Sequence, residues 1–141
     1  MSYSTAFPQA IVTTVFIGDK IQQGMFEFVP TSAVCKSLNL KAPTLVKILN
    51  NLARAGIIET REGKSGGVRL KIPPSKLTLL MIFEAIEADR PLFQTHFNLA
   101  ATGVRPDRAK KKLLRVLKNT EKTMKDSSYK ETLADYIEKL N

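Results

Sequence analysis

The chain has 141 residues, 43% hydrophobic and 25% charged, with a single cysteine and a formal net charge of +9. That length suits one domain, or one domain with an extension, and the balance of apolar and charged residues excludes disorder and collagen-like order. Its longest apolar stretches, near 10–17 and 77–83, fall short of the ~18 residues a membrane span needs, and no secretory leader is evident, so the expected setting is a reducing cytoplasm without a membrane partner.

Residues 5–21 carry Phe7, Ala10, Ile11, Thr14, Val15 and Gly18 at helical spacing, which predicts a first helix ending near Gln23 and Gly24. Residues 26–29 alternate and run into Pro30, a short extended link. Thr31 and Ser32 offer an N-cap for a second helix over 33–38, with Val34, Cys35 and Leu38 inward. Asn39, Leu40 and Lys41 make a tight turn into a third helix over 42–55. Pro43 sits in its first turn, where proline is tolerated; Leu45, Ile48, Leu49 and Leu52 form its core stripe, and Gly56 stands where a left-handed residue belongs.

Residues 57–60 and 68–71 read as two strands around a glycine-rich turn over 61–67, closed by Pro73 and Pro74. A helix over 77–87 follows, with Leu79, Leu80, Ile82, Phe83 and Ile86 as its apolar set. Residues 88–106, broken by Pro91, Gly103 and Pro106, read as an irregular connection. From Asp107 a long helix carries Ala109, Leu113, Val116, Leu117, Thr120 and Met124 on one face and charges nearly everywhere else; a short helix over 130–140 ends the pattern.

The positive charge is concentrated. Residues 35–71 are net +6 and residues 105–141 net +5, whereas 1–34 and 72–104 are each net −1. One sign gathered in so short a stretch is the footprint of a polyanion binder. The same stretch has the order helix, short helix, turn, helix, two-strand ribbon, which is the winged form of the helix-turn-helix. The fold class expected is therefore mainly α with a small β-wing: a winged helix-turn-helix over 1–87, a linker over 88–106, and a dimerisation helix with a short terminal helix over 107–141.

In that architecture the third helix enters the major groove of double-stranded DNA. The candidate DNA-binding residues are Lys41, Pro43, Thr44, Val46, Lys47, Asn50 and Asn51 on or before that helix, with Arg61, Lys64 and Arg69 on the ribbon. Gly63, Gly66 and Gly67 give the ribbon tip a narrow profile. No nucleophile–base pair, carboxylate pair or phosphate loop is recognisable, so an enzyme is not expected. A winged module for protein or RNA contact is the alternative.

The stretch 45–49, then Leu52, then 55–58, the wing segment R-x-G-x-x-G-G-x-x-L over 61–70, and the Leu-Thr-Leu-Leu helix at 77–80 with Ala85, Ile86 and Glu87 resemble the Rrf-type family of bacterial winged helix-turn-helix transcription regulators. The resemblance covers nearly the whole chain. It implies a homodimer formed through the long helix, here by Leu113, Val116, Leu117, Thr120 and Met124, on a palindromic operator, most simply as a repressor. It also implies a wing arginine in the minor groove, which falls on Arg61, and base-reading positions at Pro43, Val46 and Lys47. Two of those are apolar and suit thymine methyl groups.

Cluster-binding members carry three cysteines in the linker. Residues 88–107 have none, and a cluster needs about four protein ligands. The chain therefore resembles the cluster-free branch and is expected to hold no cofactor or metal, while an effector or partner protein stays unidentified. Cys35, the lone thiol, is the one candidate redox sensor, but its apolar neighbours favour a structural role. His96 reads as a loop residue.

Overall fold

The computed structural model describes residues 5–87, 90, 93, 97–127 and 130–140. Its elements, in chain order, are α1 (Ala6–Gln22), α2 (Thr31–Leu38), α3 (Ala42–Arg54), β1 (Ile58–Arg61), β2 (Gly67–Leu70), α4 (Leu79–Glu87), α5 (Val104–Asp126) and α6 (Leu133–Glu138). The chain is mainly helical with one two-stranded antiparallel sheet, as the apolar periodicities require.

One compact unit comprises the described residues of 1–88 and 131–141; a second comprises those of 89–130. In the first, Ala10 and Ile17 of α1, Val34 of α2, Leu45, Ile48, Leu49 and Leu52 of α3, Ile58 and Val68 of the sheet, Ile82 of α4 and Leu133 and Ile137 of α6 form one buried cluster. The expected stripe of α3 is buried in full. Thr13 and Thr14 are also buried inside α1, their hydroxyls satisfied by the carbonyls of Gln9 and Ile11.

Four boundaries and one domain assignment differ from the sequence reading for local reasons, and α6 is also shorter than the expected span of 130–140. α2 begins at Thr31, not after it. Extended Pro30 (φ −59°, ψ 137°) takes the N-cap, and no side chain caps the helix. The strands sit one residue off the expected spans, because the carbonyl of Ile57 turns to accept the amides of Lys71 and Ile72. Their register pairs Ile58 with Leu70 and Arg61 with Gly67. α4 starts at Leu79: Leu77 gives its carbonyl to the amide of Leu133 (2.7 Å), and the amide of Leu79 donates to the carbonyl of Glu131.

The fourth difference is at α5, which starts at Val104 behind Gly103 (φ 121°). Pro106 falls in its first turn, where an amide has no intrahelical acceptor, so it does not act as a breaker. The fifth concerns organisation. The terminal helix was expected to belong with the long helix over 107–141, but α6 packs on α1 within the winged unit and is bridged to it at Thr78 and Thr132. A capping box between Thr132 and Asp135 starts this helix.

In the second unit α5 is 23 residues long and has no buried residue. Leu113 and Val116 are 44% and 50% exposed, Thr120 is exposed, and Leu117 and Met124 are half-buried. His96 and Pro91 lie outside the described residues. Among the described residues no helix is long and apolar enough to cross a membrane.

Candidate nucleic-acid interface

α3 is amphipathic because its apolar residues recur at three- and four-residue steps. The side that faces the core leaves Pro43, Val46, Lys47 and Asn50 exposed on the other, with Lys41 exposed at the N-cap and Thr44 and Asn51 half-buried at the margins. Val46, 53% exposed, is a large apolar residue held out in solvent between Pro43 and the polar Lys47 and Asn50. Arg54 lies one step further along the same side, seven residues after Lys47, and is exposed. Sequence reasoning missed it; continuing the 43–47–50 step by four residues locates it. The turn before α3 is fixed by Asn39 at φ 52°, a left-handed conformation that asparagine tolerates.

The ribbon is narrow for two separate reasons. Gly63 (φ 100°) makes the tip turn, as expected. Gly66 and Gly67 are needed for close approach: a Cβ would lie 2.2 Å from the carbonyl oxygen of Arg61 in the first case and 2.1 Å from that of Val29 in the second. Val29 presses on Gly67 because it pairs with Val68 through two backbone hydrogen bonds, at 2.8 and 2.9 Å. The extended link over 26–29 is thus a third edge of the wing.

That edge also governs the wing arginines. Glu59 faces Arg69 across the strands and pairs with it through Nε. The Arg61 guanidinium donates to the backbone carbonyl of Ser65 at 2.8 Å and lies 3.4 Å from the Glu27 carboxylate, which is 3.8 Å from Arg69 as well. Both guanidinium carbons stand over the Phe28 ring, at 4.2 and 4.4 Å from its centre. Arg61 and Arg69, both expected on the ribbon as DNA-binding candidates, are brought together as an internally paired cluster. Glu27 and Phe28 were not foreseen as its partners; alternation at 26–29 gave only an extended link. Lys64, Lys41, Lys47 and Arg54 are exposed and have no hydrogen-bond or ion-pair partner among the described residues.

Cys35 is half-buried and packs against the core cluster of the winged unit. Among the described residues no group of three or more His, Cys, Asp or Glu could hold a metal.

A family model described as "Rrf2: Iron-dependent Transcriptional regulator" matches residues 3–139. The chain belongs to the Rrf2 family. It is a DNA-binding transcription regulator, not an enzyme. Among solved structures, CymR (YrzC), the global cysteine regulator of B. subtilis, superposes with a TM-score of 0.68 at 16% identity, covering 100% of this chain and 99% of that one. IscR of T. potens gives 0.66 at 17% identity, covering 100% and 89%. At those identities the likeness is one of fold. Protein aau3 of Rhizobium meliloti (strain 1021) is 44% identical over 61 residues, 34% of this chain, and the chain spans only 40% of that relative's length. The iron in the Rrf2 description does not fit the donors of this chain. One cysteine and one histidine in the whole sequence cannot supply the roughly four ligands of a cluster.

Proposed function

We propose that this Rrf2 regulator is a cytoplasmic homodimer that represses by occupying a palindromic operator, with α3 in the major groove and the wing at the minor groove. The observation that carries the reading is the outward face of α3. Pro43, Val46, Lys47 and Asn50 are exposed side by side and unpartnered, beyond a core stripe that needs none of them. Val46 fits a thymine methyl group, Lys47 and Asn50 fit base edges, and Lys41, Arg54 and Lys64 fit phosphates. Arg61 enters the minor groove from a position fixed by Phe28, Glu27 and the Ser65 carbonyl. Two-fold symmetry follows from pairing α5 with a second copy, which covers Leu113, Val116, Leu117 and Met124; each is worth ~1.5–3 kcal/mol at full burial. Cys35, packed on the core, is structural in this reading.

The experiment selects bound fragments from random DNA with the full chain and then compares variants on the selected site and on unrelated DNA. Lys47→Ala and Arg61→Ala are expected to weaken the selected site by ~1–3 kcal/mol per half-site and to relax specificity. Lys64→Ala is expected to weaken all sequences alike and to flatten the salt slope by about one unit. Equal losses on both DNAs for all three variants would overturn the assignment of α3 and the wing.

A further inference from the structure

α5 has a second face that the dimer does not use. Arg108, Lys111, Arg115, Lys118 and Lys122 follow one another at steps of three and four residues, which places them in one row along a helix of 3.6 residues per turn. At ~1.5 Å per residue the row is about 21 Å long. All five are exposed, and among the described residues none has a hydrogen bond or an ion pair. The apolar stripe through Leu113, Val116 and Leu117 lies on the opposite side. Of the acids on α5, Glu121 is held by Lys125 at 3.2 Å, Asp107 stands at the N-terminal end of the row, four residues before Lys111, and Asp126 at its far end, four residues after Lys122.

Such a row is unfavourable to the helix that carries it. Like charges three and four residues apart repel, and Arg105 and Arg108 stand near the N-terminal end, where the helix dipole disfavours cations. An ordinary solvated helix face intersperses acids with bases and removes that repulsion. Here no acid stands between Asp107 and Glu121, over more than three turns, so the middle of the row has no matching charge on its own helix and a ligand can supply it. No apolar or aromatic residue interrupts the row. A protein partner would require such anchors, whereas a phosphate backbone requires only regularly spaced cations.

We infer that the outer face of α5 is a second, sequence-independent binding surface for the phosphate backbone of nucleic acid, separate from α3 and the wing. It would add affinity to any DNA and none of the discrimination. It does not depend on how α3 reads bases, so the two can fail separately.

The test uses the full chain with all five positions changed to Gln, a good helix former that keeps length and polarity. A second variant exchanges Lys for Arg and Arg for Lys at the same positions. Binding to a random-sequence duplex is measured across salt concentrations. Removing five phosphate contacts is expected to flatten the plot of log K against log salt by about 4.5 units per chain. The charge-keeping variant should retain the native slope, and the Gln variant should retain its preference for a selected site over random DNA. Thermal melting checks folding, and the Gln variant should melt no lower than the native chain because repulsion is removed. A native salt slope in the folded Gln variant would overturn the proposal, including where an acidic protein proves to bind the row. Loss of site preference in the native chain would instead overturn the operator reading and leave this surface standing.

Discussion

The winged unit and α5 solve the same problem in opposite ways. In the first, the core stripe and the wing arginines are satisfied inside the chain: the apolar stripe of α3 reaches Leu52 at 0% exposure, and the arginines find carboxylates, a carbonyl and an aromatic ring. In the second, a 23-residue helix has no fully buried residue, leaves Leu113 and Val116 in solvent and, among the described residues, pairs few of its charges. A helix gains most of its stability from packing its apolar face, and α5 has the larger part of that face still to cover. Under the proposed dimer, what differs is where the stabilising partner is found, within the polypeptide or outside it.

Core deletions break that contrast most directly. Leu52→Ala should cost roughly 2–5 kcal/mol and lower the melting temperature by the same amount at any protein concentration. Leu113→Ala should leave the melting of a dilute sample nearly unchanged and weaken self-association, so that the loss appears only as a concentration dependence. Sedimentation beside thermal melting separates the two. A stable monomer at micromolar concentration in the native chain would remove the basis of the contrast.

Most of this division was legible in the sequence. The core stripe of α3 followed from spacing, and so did the exposed face behind it. The position of α6 did not, because Leu133 and Ile137 announce an amphipathic helix without naming the surface it covers. The arginine cluster was hidden for a similar reason. Glu27 is 34 positions from Arg61, and only the pairing of Val29 with Val68 brings them together. Long-range pairing of short edges leaves no local period to read.

A smaller effect sharpens the contrast within the wing. Glu27→Gln removes the carboxylate shared by Arg61 and Arg69; Arg69 keeps Glu59 and Arg61 keeps the Ser65 carbonyl, but the wing gains one net positive charge toward phosphate. Affinity for any duplex should rise by roughly 0.2–1 kcal/mol, the worth of an exposed ion pair, as read by titration at low salt. A fall would mean that Glu27 serves to position the arginines for DNA.

The smallest is a proton effect. Hydrogen bonds from Thr132 hold the Asp135 carboxyl below its ordinary value of 3.8. A depressed folded value contributes stability that is present above the ordinary value and is lost as pH falls through the lowered one. Acid should therefore loosen α6 on the winged unit. Asp135→Asn should remove that part of the acid sensitivity, measurable as amide exchange in α6 between pH 5 and 2.

The return of α6 to the winged unit gives the chain an unusual genetic logic. Everything between α4 and α6 is, in topology, an insertion into a domain whose last piece is made last. Leu133 comes within 3.8 Å of where a Cβ on Gly18 would stand, so the first and last helices close the same wall. A nonsense codon near position 131 would be a lesion of the N-terminal winged unit and not of the long helix translated just before it. On the ribosome, the winged unit must wait for the whole long helix to be translated before its own fold can close.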